Sequence, residues 1–259
     1  MKGRVAAVAG GSAGLGYATA EALAREGADV FICSRSAERV DHAVQQLAAV
    51  GGGRIAGAAI DLSDAAGSAR LITETAQRFG GPDCLLITTG GPSHGFALEN
   101  DDETWQRAFE ALVLSAVRLT RLAIPRMVAR GGGRILAVTS TAIRQPIPDL
   151  VLSNSLRAAV TGFLKSAASE YAKDNVLINC LAPGRFATER VTSLDANRAT
   201  AEGLPLAQVQ QRSLADIPIG RYGDAKEYGA IAAFLLSFAN TYLTGTHVYC
   251  DGGQLRAVL

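Results

Sequence analysis

The fold is decided by the stretch VAAVAGGSAGLG at residues 5–16. Its first part, residues 5–9, is a short apolar run typical of a buried parallel strand, and a helical pattern follows the stretch directly. Between strand and helix lie Gly10, Gly14 and Gly16, which permit a tight turn and a close approach of the backbone to a ligand. Strand, glycine turn and helix together aim free backbone N–H groups and the positive end of a helix at an anion. The stretch therefore predicts a phosphate-binding turn.

Composition limits the class of protein. The chain has 259 residues, 48% hydrophobic and 19% charged, which is typical of a soluble globular protein and excludes general disorder. A net charge of +1 gives no reason to expect a nucleic-acid partner. The apolar runs are much shorter than the roughly 18 residues that indicate a membrane span, and we find no signal-peptide pattern. We therefore expect a cytoplasmic protein without a membrane partner.

The cysteines carry no metal or disulfide pattern. None belongs to a C-x-x-C pair, and the three histidines are widely spaced. Each cysteine lies in or beside a predicted strand, so the sequence predicts core thiols. The four are Cys33, Cys84, Cys180 and Cys250.

Predicted strands alternate with predicted helices at least six times along the chain. This alternation indicates a single-domain α/β protein with a doubly wound parallel sheet, the Rossmann fold, over residues 1–259. The polar segment at about 187–215 looks like an insertion over a cleft. The predicted helices after the first one cover residues 37–50, 65–79, about 102–129, about 153–173 and 225–238.

Two charged residues follow predicted strands, at the edge of a parallel sheet where ligands bind. Arg35 follows the second strand, where many dinucleotide folds carry an acidic residue for the ribose 2′-hydroxyl. An arginine there suits a 2′-phosphate, so NADP(H) is favoured over NAD(H), although a solvated arginine is the alternative. Asp61 ends the third strand.

At this point the chain resembles the short-chain dehydrogenase/reductase family over nearly its whole length. The family's T-G-x-x-x-G-x-G motif matches residues 9–16, with Ala9 in place of threonine. The family's C-terminal signature matches 243–245 and 251–253, and the general style is similar to 3-oxoacyl carrier-protein reductases. The cofactor-binding positions that the resemblance implies, with Arg35 from the argument above, are Gly10, Ser12, Gly14, Leu15, Gly16, Arg35, Asp61, Leu62, Gly90, Arg157, Pro183, Gly184 and Thr188.

The catalytic positions depart from the family. Its members use a serine, a Y-x-x-x-K pair about thirteen residues later and an asparagine from the preceding long helix. The tyrosine hydroxyl transfers the proton, and the lysine cation lowers the pKa of that hydroxyl. Ser140 matches the serine, but Ser153, Arg157 and Leu112 stand where tyrosine, lysine and asparagine are expected. The chain's literal Y-x-x-x-K, residues 222–226, follows the wrong segment and is interpreted as a chance match.

Several residues are candidates for proton transfer and for orienting the cofactor or the substrate. Arg157 can donate two hydrogen bonds to ribose hydroxyls but cannot relay a proton, because an arginine stays charged. Ser153 is shorter than a tyrosine and can instead cap its helix. His94, in the loop that borders the substrate cleft in this family, could donate the proton or be a surface residue. Arg144 could orient an anionic or carbonyl substrate or be solvated.

The leading hypothesis is an NADP(H)-dependent oxidoreductase that acts on a small carbonyl or alcohol substrate with an altered proton-transfer site. The alternative is a catalytically impaired dinucleotide-binding protein, such as a redox sensor or a scaffold. A weaker third idea is elimination or isomerisation with a structural cofactor, because fold alone does not decide chemistry. The resemblance also implies a homo-oligomer, a tetramer or a dimer, formed through the two long helices at 102–129 and 153–173.

Overall fold

The chain forms one parallel sheet enclosed by two layers of helices. The computed structural model describes residues 1–257, so the last two residues of the predicted domain lie outside it. The strands are β1 (Val5–Ala9), β2 (Asp29–Ser34), β3 (Ile55–Ala59), β4 (Cys84–Ile87), β5 (Gly133–Val138), β6 (Val176–Pro183) and β7 (His247–Cys250). The helices are α1 (Gly14–Arg25), α2 (Ala37–Val50), α3 (Ala65–Phe79), α4 (Asp102–Phe109), α5 (Ser115–Ala129), α6 (Val151–Tyr171), α7 (Glu189–Glu202), α8 (Leu206–Ala215) and α9 (Ala225–Leu236).

The strand order is β3-β2-β1-β4-β5-β6-β7, with every pair parallel. The order reverses between β1 and β4, because the chain first adds strands on one side of β1 and later on the other. In open α/β sheets the crevice beyond the carboxyl ends of the strands at such a reversal is the ligand-binding position. The predicted doubly wound Rossmann fold is confirmed.

Two apolar clusters hold the two helix layers against the sheet. One face of the sheet packs against α3, α5 and α6, through side chains such as Leu71, Leu119 and Leu164. The other face packs against α1, α2 and α9, through Leu23, Leu47 and other buried side chains. Because both faces are covered, the central strands are apolar throughout rather than alternating.

The expected core placement of the thiols is confirmed for three of the four cysteines. Cys33, Cys84 and Cys180 are buried, and burial raises the pKa of each thiol to about 12. Cys250 is only partly buried at the end of β7. All four are free thiols.

Some predicted boundaries are wrong. The helix expected at 102–129 is interrupted by a π-helical turn, Glu110–Leu114, between α4 and α5. Apolar periodicity does not reveal a single wider turn, because the residues on both sides keep nearly the same face. The helix expected to start at Ser153 starts at Val151, and the polar segment at 187–215 contains α7 and α8.

Candidate active site

The glycine turn after β1 is tight, and at Gly10 and Gly16 it leaves no room for a side chain. Gly10 has a φ of +66°, and a Cβ added there would lie 2.8 Å from the carbonyl oxygen of Thr88. A Cβ on Gly16 would lie 2.1 Å from the carbonyl oxygen of Gly10, and Gly14 has a φ of +56°. No side chain caps the start of α1, so its first N–H groups are available to an anion. We call this glycine turn, with the start of α1, the cradle; it fits the diphosphate of a dinucleotide.

Two unpartnered hydroxyls lie just beyond the ends of β4 and β5. The buried Oγ1 atoms of Thr88, after β4, and Thr139, after β5, have no hydrogen-bond partner within residues 1–257. Buried polar groups are normally paired, so these hydroxyls mark a place where a ligand or water belongs. The adjacent predicted residue Gly90 is exposed after β4.

The predicted adenosine side contains Arg35 and Asp61 at the ends of neighbouring strands. Arg35 is exposed and makes no hydrogen bond or ion pair within the described part of the chain. The backbone N–H of Ser63 donates to Asp61 Oδ1 at 2.9 Å, and this bond, with a smaller contribution from the Arg35 charge, lowers the pKa of Asp61. Leu62 is partly buried against the core.

The segment after β6 lies over the glycine turn. Pro183 ends β6, and a Cβ on Gly184 would lie 2.6 Å from the Cα of Asp251. Thr188 caps α7, accepting a hydrogen bond at 3.4 Å from the N–H of Val191. Its Cγ2 would lie 3.9 Å from a Cβ on Gly14, so the start of α7 approaches the cradle.

Ser140 follows β5 and starts a short 3-10 turn. Its Oγ accepts a hydrogen bond from the N–H of Ala142 at 3.1 Å. A hydroxyl that accepts in this way keeps its own proton free for donation. Ser140 can therefore donate to an oxygen in the cleft.

Ser153 and Arg157 lie one turn apart on α6 and bond to each other. Arg157 Nε donates to Ser153 Oγ at 3.2 Å, and Nη1 donates to the carbonyl oxygen of Val138 at 2.9 Å. Burial, assisted by the charge of Arg190, lowers the pKa of Arg157 to about 10, so the side chain remains charged at neutral pH. The helix-capping alternative for Ser153 is wrong, because α6 begins at Val151 and Leu150 makes no side-chain cap.

Leu112 lies in the π-helical turn and is 3% exposed. With Thr89, Thr139 and Arg157 it lines a cavity of about 10 Å³, close to the volume that holds one water molecule. The Leu112 side chain is apolar and offers this cavity no hydrogen bond.

His94 is held by a residue close to the start of α6. Its Nδ1 lies 3.1 Å from Asp149 Oδ2, and its side chain is 35% exposed. The backbone N–H of Gly95 donates to the Asp149 carbonyl oxygen at 2.7 Å. The sequence did not predict Asp149 as a site residue, because nothing in the local pattern connects it to a histidine 55 residues earlier. Arg144 is exposed, without a side-chain bond in residues 1–257.

A buried carboxylate anchors the segment that contains α7 and α8. Asp195 is fully buried and accepts hydrogen bonds from Arg185 Nη1 and, at 2.7 Å, from the hydroxyl of Tyr222. The Tyr222 hydroxyl is thus hydrogen-bonded to Asp195 of α7. This bond supports the interpretation of residues 222–226 as a chance match to the Y-x-x-x-K motif. Asp195 and Arg185 were not predicted, because their partners are distant in sequence.

No helix within residues 1–257 is long and apolar enough to span a bilayer. No group of three or more potential metal ligands comes together in the same part of the chain.

Comparison with known proteins identifies the class. A sequence profile described as enoyl-(acyl carrier protein) reductase matches residues 9–254. Dehydrogenase/reductase SDR family member 4 of Bos taurus is 32% identical over 98% of this chain and 88% of its own length. Among solved structures, L-sorbose reductase from Gluconobacter frateurii, complexed with NADPH and L-sorbose, has a TM-score of 0.94 and 33% identity, covering 100% of this chain and 98% of its own. A 7α-hydroxysteroid dehydrogenase complexed with NADH has a TM-score of 0.90 and 25% identity, covering 100% of this chain and 96% of its own.

The fold and the matches define a single class. The chain belongs to the short-chain dehydrogenase/reductase family. It is thereby placed among oxidoreductases that act on carbonyl or alcohol substrates with a nicotinamide dinucleotide.

Proposed function

We propose that the protein is an NADP(H)-dependent oxidoreductase that interconverts a small carbonyl compound and its alcohol with an altered proton-transfer site. The observation that carries the proposal is the glycine cradle, whose positive φ at Gly10 and Gly14 and uncapped helix start leave backbone N–H groups available to an anion. The free Ser140 hydroxyl and a histidine bonded to a carboxylate support it. The bound nicotinamide would supply or accept the hydride.

Ser140 and Arg157 are proposed to position the reactants. The Ser140 hydroxyl accepts a hydrogen bond from the Ala142 N–H and does not use its own proton in that bond. The hydroxyl proton is therefore free to be donated to the substrate oxygen. Arg157 uses Nε and Nη1 inside the protein, and its Nη2 has no partner in residues 1–257. That nitrogen would donate to a ribose hydroxyl and so orient the cofactor. Positioning of this kind supplies a large part of the rate in a two-reactant step.

The proton is assigned to His94 rather than to Ser153. The Ser153 hydroxyl accepts from a cation, but losing its proton would create a serine alkoxide, which is unfavourable at neutral pH. An imidazole changes its charge near neutral pH and suits general acid–base work. The Gly95–Leu150 backbone contact supports this role, because it holds His94 near the N-terminal turn of α6 that contains Ser153.

The preference for NADP(H) rests on Arg35, and we expect a selective effect from its removal. Arg35→Ala should weaken NADPH binding several-fold more than NADH binding, because only NADPH carries the 2′-phosphate. Fluorescence titration of both cofactors measures this directly. Equal losses for the two cofactors would remove Arg35 from 2′-phosphate recognition. Arg144→Ala, at an exposed arginine elsewhere at the cleft, is the matched control.

The remaining assignments extend this proposal. Residues 187–215, with α7 and α8, are proposed to form the insertion over the substrate cleft, and the whole chain one NADP(H)-binding domain. We propose a homotetramer or a dimer, formed through α4–α5 and α6, in the cytoplasm. Sedimentation velocity gives the oligomeric state.

One experiment separates the proposed function from its alternative. NADPH and NADH binding is measured first, followed by turnover against ketones, a ketose and 3-oxoacyl thioesters. Binding with turnover is the expected result. Tight binding without turnover on any substrate would instead favour the dinucleotide-binding sensor or scaffold, which the changes at Leu112, Ser153 and Arg157 motivate.

A further inference from the structure

We propose that Asp149 is a positioning residue that holds His94 in the tautomer and orientation required for proton transfer. The inference rests on the proposed function, because it concerns how His94 would act within the reaction. Two loops that the sequence keeps apart meet at this point: the loop after β4 and the loop before α6.

The contact defines which nitrogen carries the proton. An ionised carboxylate can only accept hydrogen bonds, so the 3.1 Å contact between Asp149 Oδ2 and His94 Nδ1 requires a proton on Nδ1. In the neutral imidazole Nε2 then keeps its lone pair, and Nε2 has no partner within residues 1–257. Nε2 is therefore the nitrogen left for exchange with a substrate.

The backbone reinforces the contact. The N–H of Gly95 donates to the Asp149 carbonyl at 2.7 Å, and the N–H of Val151 donates to the Gly95 carbonyl at 3.4 Å. A Cβ on Gly95 would lie 2.5 Å from Nδ2 of Asn100, so the histidine loop is tightly packed on its other side. These contacts fix the loop that contains His94 and so restrict the position of its imidazole.

Asp149 also has an unusual backbone conformation. Its φ of +58° lies in the left-handed region, which costs free energy for a residue with a side chain and is enriched for Asp and Asn. The conformation allows Asp149 to use both its carbonyl and its carboxylate on the same partner loop. Such outliers persist where the surroundings over-determine them, commonly at functional sites.

The dyad gives a balanced step. In reduction, the bound dinucleotide would supply the hydride to the carbonyl carbon, while Nε2 of the imidazolium gives its proton to the carbonyl oxygen. This leaves an alcohol and a neutral His94 whose Nδ1 keeps its proton and still donates it in the hydrogen bond to Asp149. Solvent then returns a proton to Nε2. In oxidation the neutral Nε2 accepts the alcohol proton, and the hydride would pass to the oxidised dinucleotide. The carboxylate stabilises the imidazolium without itself being protonated.

The ordinary alternative is that the pair merely ties two surface loops together, with little consequence for catalysis. The variants Asp149→Asn and Asp149→Gly separate the two interpretations, because Asn and Gly both tolerate a positive φ. Asn can present its NH₂ to Nδ1 and so favour the opposite tautomer, whereas Gly removes the contact.

Histidine ¹⁵N NMR, at a pH where the imidazole is neutral, reports the tautomer without any turnover. The His94 signal is assigned by its disappearance in His94→Ala. We expect the Nδ1–H tautomer in the wild type and loss of that preference in both Asp149 variants. We also expect kcat to fall about tenfold or more, with the NADPH Kd changed less than twofold.

Three results would overturn the proposal, and they differ from one another. An unchanged His94 tautomer in both variants contradicts the positioning role while leaving His94 as the acid. A changed tautomer with wild-type kcat contradicts the need for positioning. A fully active His94→Ala enzyme overturns the proton-transfer part of the proposed function, and this inference with it.

Discussion

His94→Ala should lower kcat for carbonyl reduction at least about tenfold, on the scale of about 10²–10⁴-fold that general acid–base groups supply. The reason is that, within the proposed site, neither Arg157 nor Ser153 is suited to exchange a proton near neutral pH. Arg157 stays charged and the Ser153 hydroxyl is a poor acid. Steady-state kinetics with NADPH measure the effect, and NADPH binding should be unchanged.

The chain offers a matched control in His42, an exposed histidine within α2. His42→Ala should leave both kcat and KM unchanged. An undiminished rate in His94→Ala would show that water or another group delivers the proton.

A rescue experiment strengthens the same prediction. Adding Ser153→Tyr and Arg157→Lys to His94→Ala creates the Y-x-x-x-K pair on α6. Residues four apart on a helix share a face, and a lysine cation lowers the pKa of a tyrosine hydroxyl. The triple variant should recover at least about tenfold of the lost rate, within the contribution of one general acid.

Asp195→Ala should have the largest effect on stability. It would leave the Arg185 guanidinium and the Tyr222 hydroxyl without their shared carboxylate in a site where Asp195 is fully buried. Breaking a buried ion pair from one side costs about 3–5 kcal/mol. For a chain of this size the cost corresponds to a drop in Tm of roughly 6–20 °C.

Thermal unfolding and hydrogen exchange together check the stability prediction. Tyr222→Phe removes one hydrogen bond only, so its cost should be about 1 kcal/mol. If Asp195 anchors α7 and α8, Asp195→Ala should speed the exchange of their amides relative to the wild type. The amides of β1 and β4 should show a smaller increase. A Tm equal to that of the wild type would contradict the anchoring role.

Local pattern was sufficient for the fold, and it predicts the cofactor end of the site. The apolar run of β1, the glycines after it and the acidic end of β3 are short-range features, because a tight turn or strand end depends on adjacent residues. Residues four apart on a helix share a face, and Ser153 and Arg157, four apart on α6, are bonded to each other there.

Only the tertiary structure decided what surrounds the proposed proton donor, His94. His94 meets Asp149 across 55 residues and Tyr222 meets Asp195 across 27, and no periodicity or motif encodes such pairs. The π-helical turn at Leu112 and the left-handed backbone at Asp149 are set by packing between elements. By itself the sequence determined a parallel sheet and predicted the glycine turn for a dinucleotide, since those features are local. The partners of the proposed catalytic residues depend on long-range contacts, which exist only once the chain has folded.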